Sequence, residues 1–390
     1  MSWTLDFGLV LNQLGGYGVS GLGAYDEDPK VDYIGSLVPR ISTPLGNTGE
    51  LYISAGIGAQ YEREEWFFVP ELLRTDLTWY FNSGTFKIGR MQYSDPLGFI
   101  AEGLFDGAQF TYYSRAGHLS LGAWYTGFLY RKRAKIIMTD AEYTSFFTEK
   151  LDYGDFFNTY FAPSRLAAAL DWEHPSLGGS YVRAYLSLLG QIDFTGEDLH
   201  SQYITAKLTI PIKAFLFDLG GSFELIENSG DFGTAFAAEF RAAWMPPTPF
   251  MSRLSILGRY SSGVSKDANI YAFDPLTTKS QGSLIKAKLS GISQISLDYL
   301  ARFNRAFSFS LTSMYFIRND LETYLSYPVI STDDSGNFLG NEFVGILYWT
   351  PASDVTVNFG AGIFLPSLGN VAPKATNLWR VELNLILTLF

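Results

Sequence analysis

No cysteine occurs in the 390 residues, which excludes a thiolate zinc cage, a cysteine nucleophile and a disulfide framework. Histidine is nearly missing too, at three residues, which thins the candidates for acid–base work. Apolar residues make up 47% of the chain, yet no run approaches the ~18 residues that a membrane-crossing helix requires. Excess positive charge is also lacking. The net charge of −11 argues against a nucleic-acid partner, since a polyanion needs a basic face. The N-terminus shows no basic segment leading into an apolar core; a strand pattern begins at Trp3. This reads as a mature chain whose signal peptide has been replaced by Met1. With no linker or low-complexity tract, residues 1–390 read as a single domain.

What is abundant is aromatic: 16% of residues, with 32 Phe and 24 Tyr beside 38 Gly. Strands favour aromatics, tight turns favour Gly, and membrane interfaces favour amphipathic rings. The ordering signal is period-two alternation. Leu51, Ile53, Ala55, Ile57, Ala59 and Tyr61 oppose Tyr52, Ser54, Gly56, Gly58, Gln60 and Glu62. The last segment sets Trp379, Val381, Leu383, Leu385, Leu387 and Leu389 against Arg380, Glu382, Asn384 and Thr388. Segments of ~10–14 residues suit tilted strands crossing a bilayer, where soluble strands average ~5–6.

Short turns fall at Pro44–Glu50, Asn82–Gly84, Ser114–Gly117, His174–Gly179, Pro211–Ala214, Pro246–Ser252, Phe303–Ala306 and Pro351–Asp354. Longer connections alternate with them: Leu14–Val31, Arg63–Pro70, Ser94–Phe105, Arg131–Ser164, Asp193–Gln202, Ile226–Gly233, Ser262–Gly282, Arg318–Gly340 and Pro366–Thr376. The fold class predicted is all-β: one transmembrane, antiparallel, up-and-down barrel of about 18 strands, with both termini and the short turns periplasmic. A count of 16 is the alternative, because the segments at Ser283–Phe303 and near Val31 are ambiguous. The location predicted is the bacterial outer membrane, where lipid surrounds the barrel and Phe390 offers the insertion machinery a terminal aromatic.

A barrel in lipid turns its apolar face outward and its polar face to the lumen. The inward bases are then Arg40, Arg74, Lys87, Arg165, Arg183, Lys207, Arg241, Arg253, Arg259, Lys286, Lys288, Arg302 and Arg380. The inward acids are Asp6, Asp76, Asp171, Asp218, Glu224, Glu239, Asp298 and Glu382. Since the whole chain is acidic, the surplus acid lies in loops such as Asp26-Glu27-Asp28, Glu62/Glu64/Glu65 and Asp333-Asp334. A basic bore behind an acidic rim favours anions. The bland reading pairs these charges across strands, for example Asp76 with Lys87 or Glu239 with Arg253. Aromatics near strand ends, including Trp66, Trp79, Trp172, Trp244, Trp349 and Trp379, read as interfacial belts.

Catalysis finds little support. His118 and His174 fall at turns; His200 and Ser201 are adjacent and so face opposite sides of a strand. No carboxylate spacing matches a calcium loop, and no metal or cofactor is predicted. The segment Asp140–Phe161 carries partly helical apolar spacing at Tyr143, Phe146, Leu151, Phe156 and Tyr160. It must bury those rings, by capping the mouth, by folding inward as a constriction, or as a flap outside.

One stretch, Lys87 to Tyr113, resembles the strand–loop–strand signature of the alginate-export type of outer-membrane barrels, through Gly89-Arg90 and Phe105-Asp106-Gly107. The resemblance implies eighteen strands, an Arg-rich lumen balanced by acids, passive transport of an anionic polysaccharide, and a lumen position for Arg90. Strict alternation puts Arg90 on the lipid side, so a bulge near Gly89 is required for it to reach the lumen. The function expected is a porin-like channel, not an enzyme, for small or oligomeric anionic solutes, an acidic polysaccharide such as alginate among them. The alternatives are a transporter of the fatty-acid or hydrophobic-solute type, and a closed structural or adhesive barrel acting through its loops.

Overall fold

The computed structural model describes residues 4–17, 30–62, 65–196, 198–265, 269–285, 287–321 and 336–389. Eighteen antiparallel strands close into one barrel, each paired with its sequence neighbours and β1 with β18. They are β1 (Thr4–Tyr17), β2 (Lys30–Leu45), β3 (Gly49–Glu62), β4 (Glu65–Phe81), β5 (Gly84–Ser94), β6 (Glu102–Ser114), β7 (Gly117–Tyr125), β8 (Arg165–His174) and β9 (Arg183–Asp193). The second half comprises β10 (Leu199–Ile212), β11 (Phe215–Asn228), β12 (Asp231–Trp244), β13 (Met251–Ser261), β14 (Ile292–Arg302), β15 (Phe307–Arg318), β16 (Phe338–Ala352), β17 (Val355–Leu365) and β18 (Leu378–Leu389). Closure leaves no open sheet edge at the ends, as a wall surrounded by hydrocarbon requires.

The alternation governs which way each residue faces. Large apolar residues stand outward and exposed, with Ile57 and Leu121 at 60%. In water such a surface would cost about 25 cal/mol per Å²; in hydrocarbon it costs nothing. Ring stacks mark both rims of this belt. Trp79 lies on Phe86 (5.9 Å), Phe215 on Trp244 (6.3 Å) and Phe307 on Trp349 (6.1 Å) near the short turns. Tyr61 meets Trp66 (5.2 Å) and Phe236 meets Tyr260 (5.6 Å) toward the other end.

The count of eighteen removes the alternative of sixteen, although two expected loops differ. Ile226–Gly233 shrinks to the tight turn Ser229–Gly230, with φ of 52° and 90°, because β11 and β12 pair up to Asn228↔Asp231. Arg63–Pro70 likewise gives way to strand: β3 and β4 stay paired to Glu62↔Glu65. In the other direction, the connection after β13 extends to residue 291. Leu284, Ile285, Ala287 and Leu289 are buried in the loop core and leave the wall. Trp3, Asp26-Glu27-Asp28, Glu64, Lys286, Asp333-Asp334 and Phe390 lie outside the described residues.

One break in the wall shapes the interior. Pairing of β4 with β5 stops at Thr75↔Arg90, while β4 continues through residues 65–74 beside β3. Pairing of β6 with β7 likewise begins only at Asp106↔Tyr125. Above that level the β5–β6 hairpin leaves the wall and enters the lumen, burying Met91, Tyr93, Leu97, Phe99 and Phe105. The segment 128–161 takes its place against β4. It contains α1 (Arg131–Ala134), α2 (Asp140–Thr148) and α3 (Phe156–Tyr160). No ladder joins this segment to β4. The Tyr153 hydroxyl bonds the Phe68 backbone, and the Tyr160 hydroxyl donates to the Pro70 carbonyl at 2.7 Å. Tyr160, Tyr130 and Val69 form a small core behind them.

Candidate functional site

The loops on the side opposite the short turns fill the upper lumen. Residues 95–101, 129–138 and 271–291 meet there in one apolar core, with Phe99, Phe273, Leu276 and Ile285 at 0–1% exposure. A uniformly polar interior was the expectation, and this plug corrects it. Loop rings must leave water, and the wide bore is the space that receives them. The wall facing the plug carries small or apolar inward residues such as Ala167, Ala169, Leu189, Ala235 and Ala237.

Carboxylates fix the plug by capping loop amides. Asp95 accepts from the N–H groups of Leu97, Gly98, Ile100 and Ala101 at 2.8–3.0 Å, closing the hairpin tip. Burial pushes its carboxyl up, and the four amides oppose that shift. Glu342, on β16, accepts from Ser283, Leu284 and Ile285 at 2.7, 2.9 and 3.0 Å. Glu224 accepts from Asp274 N at 2.9 Å, and Tyr203 donates to the Asp274 carbonyl at 2.5 Å. Asp274 itself pairs with Lys288; its burial pushes the carboxyl up to about 6 against that attraction. Glu142 closes a capping box with Thr139 at the start of α2 and also receives Arg165 at 2.7 Å.

The predicted bases divide by height. Those near the plug are committed to structure. Arg165, at 0% exposure, binds Glu142, the Gln191 side chain (3.0 Å) and the Leu199 carbonyl (3.2 Å). Arg259 binds Glu239 (2.7 Å) and Gln281 (3.0 Å), so Glu239 pairs with Arg259 and not with Arg253. Lys288 holds Asp274 and the Ile137 carbonyl (2.6 Å), from a loop and not from a strand. Arg380 holds Glu382 and the Ser283 carbonyl (2.9 Å).

Arg90 is buried at 7% exposure, and β5 pairs with β4 and β6 without the bulge that a lumen position requires. It shares the outward parity of Ile88 and grips Asp106 with two nitrogens at 2.8 and 2.7 Å. It also donates to the carbonyls of Leu72 (2.5 Å) and Phe128 (2.9 Å), where the hairpin departs. This corrects its expected place in the lumen. The glycines beside the pair allow the strands to approach: a Cβ on Gly107 would meet the Ala123 carbonyl at 2.0 Å, and one on Gly89 the Thr75 carbonyl at 2.2 Å.

Toward the short turns the charges are looser. Arg74 pairs with Asp76, leaving Lys87 without it, because the two share one strand face at i, i+2. Arg241 reaches Asp218 at 3.9 Å, and Asp218 also accepts from Thr209 (2.6 Å). Arg40 stands opposite Asp6 in register. Asp298 accepts from Thr312 and Ser296 at 2.8 and 2.9 Å. Among the described residues, Lys87, Arg183, Lys207, Arg253 and Arg302 have no carboxylate within 4.0 Å. A cavity of about 530 Å³ opens below the hairpin tip between β5 and β10, with Asp171, Lys207, Tyr113 and Tyr185 in its lining.

Glu342 and Asp95 escaped the reading of the sequence, since both act through loops that alternation does not describe. His200 accepts from Asp193 N at 3.1 Å, while Ser201 is fully buried on the other face of β10. Among the described residues no group of three or more His, Asp or Glu is placed to hold a metal.

No family model matches the chain, and no curated protein matches it. Solved structures do. OccK2 (OpdF) of Pseudomonas aeruginosa, in complex with glucuronate, superimposes with a TM-score of 0.63 at 12% identity, over 100% of this chain and 98% of that one. OccK11 (OpdR) of the same organism gives 0.61 at 12%, over 99% and 96%. The outer membrane protein OprD of Pseudomonas aeruginosa gives 0.60 at 13%, over 99% and 93%. The chain therefore has the eighteen-stranded barrel fold of these Pseudomonas proteins.

Proposed function

We propose that this barrel is a passive outer-membrane channel for small anionic solutes, with an acidic sugar or uronate as the preferred class. The observation that carries the reading is the division of lumen charge. Bases near the plug are paired with carboxylates or bound to carbonyls, whereas among the described residues Lys87, Arg183, Lys207, Arg253 and Arg302 in the lower bore have no carboxylate partner. Unpaired cations above low-dielectric walls attract anions and lower the barrier to their passage. The fold it shares with OccK2, which was crystallised with glucuronate, supports the same solute class. An anionic polysaccharide such as alginate remains the finer form of this reading, suggested by the Gly89-Arg90 and Phe105-Asp106-Gly107 signature. No step of catalysis is assigned to the chain.

A second reading is a closed barrel acting through its loops, which the dry apolar plug favours. Planar-bilayer recording under a salt gradient separates the two. The channel reading predicts conductance, a reversal potential on the anion side, and interruption by a uronate oligomer. Silence from a folded sample, or cation preference, overturns it.

A further inference from the structure

The wall between β6 and β11 carries three parallel rows of inward residues, aligned strand to strand by the pairing register. The middle row is hydroxylic. Thr111, Ser120, Asp171, Ser187, Thr205 and Ser222 are successive partners across these six strands. The row nearer the short turns is aromatic and charged, running from Tyr113 and His118 through Glu173 and Tyr185 to Lys207. The row above, with Ala169 and Leu189, seats the plug. Strand tilt makes a constant-register row climb the wall. It begins near the 115–116 turn at Thr111 and reaches mid-strand at Ser222.

We propose that the middle row is a binding track for a polyhydroxylated solute, that is, for a saccharide chain. The proposal rests on the reading of the lumen as a solute path and names what that path recognises. The strands that carry these residues are spaced roughly 4.8 Å apart, so the row repeats at about the length of a pyranose ring. Neighbouring hydroxyls already touch: Thr111 with Ser120 at 2.8 Å and Thr205 with Ser222 at 2.9 Å. Each has one donor and two lone pairs, so such contacts leave capacity for a sugar hydroxyl. Asp171, which accepts from the Tyr93 hydroxyl at 3.3 Å, adds a carboxylate acceptor within the row. Tyr113 and Tyr185 lie one row below, where ring faces can stack on a sugar, and Lys207 is placed for a uronate carboxylate. Thr111, Ser120 and Asp171 open into the 530 Å³ cavity, which is where binding starts. The upper end of the track is covered. Ser187, Thr205 and Ser222 are 1–5% exposed, and Leu97 of the hairpin tip packs against the neighbouring Gly220.

The test is calorimetric titration of the folded full-length barrel in detergent with maltotriose, with trigalacturonate and with an oligoethylene glycol of equal length. The track predicts binding of both saccharides and none of the glycol. The pair of substitutions Thr111→Val and Ser120→Ala, in protein whose folding is verified by heat-modifiable migration, should weaken both saccharides about ten-fold or more. Thr111→Ser in the otherwise unaltered protein, which keeps both hydroxyls, should bind the saccharides nearly as the parent does. Equal binding of saccharide and glycol, or saccharide binding indifferent to the hydroxyls, overturns the track. Bilayer current of the unaltered protein reads the channel separately: a silent barrel that still binds saccharides through these hydroxyls keeps the track and loses the channel.

Discussion

Replacing Arg90 by Ala tests the account of the broken wall. Arg90 is the group that ties three elements together where the β5–β6 hairpin turns inward: Asp106 on β6, the Leu72 carbonyl on β4 and the Phe128 carbonyl at the start of the replacement segment. Removing one partner of a buried ion pair costs about 3–5 kcal/mol. Asp106 keeps 22% side-chain exposure, so water recovers part of that and the lower figure applies. A loss of about 3 kcal/mol raises the population of opened segment roughly 150-fold, at 1.4 kcal/mol per decade. The loss is local, because the ladders of the remaining strands do not pass through Arg90. Hydrogen exchange should therefore accelerate by about that factor in residues 128–161 and at the β4 edge, with β10–β14 unchanged. Arg90→Lys should fall between, since a point charge cannot make the two-pronged grip. Exchange in R90A equal to that of the parent protein would refute the reasoning.

Glu342→Ala strips the cap from three amides, and unsatisfied buried groups cost ~1–3 kcal/mol each; the 283–285 segment should become the first site of protease cleavage, with the barrel's heat-modifiable migration retained. Asp274 gives a pH dependence. Its folded-state value of about 6 lies above the ordinary 3.8, so its contribution is full below about 4 and is lost as pH rises through 6. Exchange protection of 271–291, corrected for intrinsic rates, should be greater at pH 5 than at pH 7.5, and flat protection contradicts the assignment. Gly107→Ala places a methyl 2.0 Å from the Ala123 carbonyl and should lower the yield of folded barrel, where Ala108→Gly, on the lipid face, should not.

Alternation, with segment length and spacing, carried the reading of about eighteen strands, because it records a force that acts on every wall residue: lipid on one side, lumen on the other. It placed Arg74, Lys87, Lys207 and Arg259 on strands of the wall, but not which of them pair: Arg74 meets Asp76 and Arg259 meets Glu239, whereas Lys87 and Lys207 have no carboxylate partner among the described residues. It failed where that force is absent. The stretch from Ser283 to Gly291 alternates like a strand, yet its apolar residues answer to the plug and not to lipid. Arg90 shows the opposite failure. Its outward parity was legible, but its burial follows from a wall break whose cause lies in segment 128–161, far along the chain. Asp95 and Glu342 act on backbone amides, and no side-chain pattern announces that.

The division of lumen charge is tested most directly by the reversal potential of charge-reversed variants under a tenfold salt gradient. Lys87→Glu with Lys207→Glu should move the potential toward cation selectivity, because both lie unpaired in the lower bore. Arg259→Gln, which breaks a neutral pair near the plug, should leave its sign unchanged. A potential indifferent to Lys87 and Lys207, or one that follows Arg259 instead, would contradict the account.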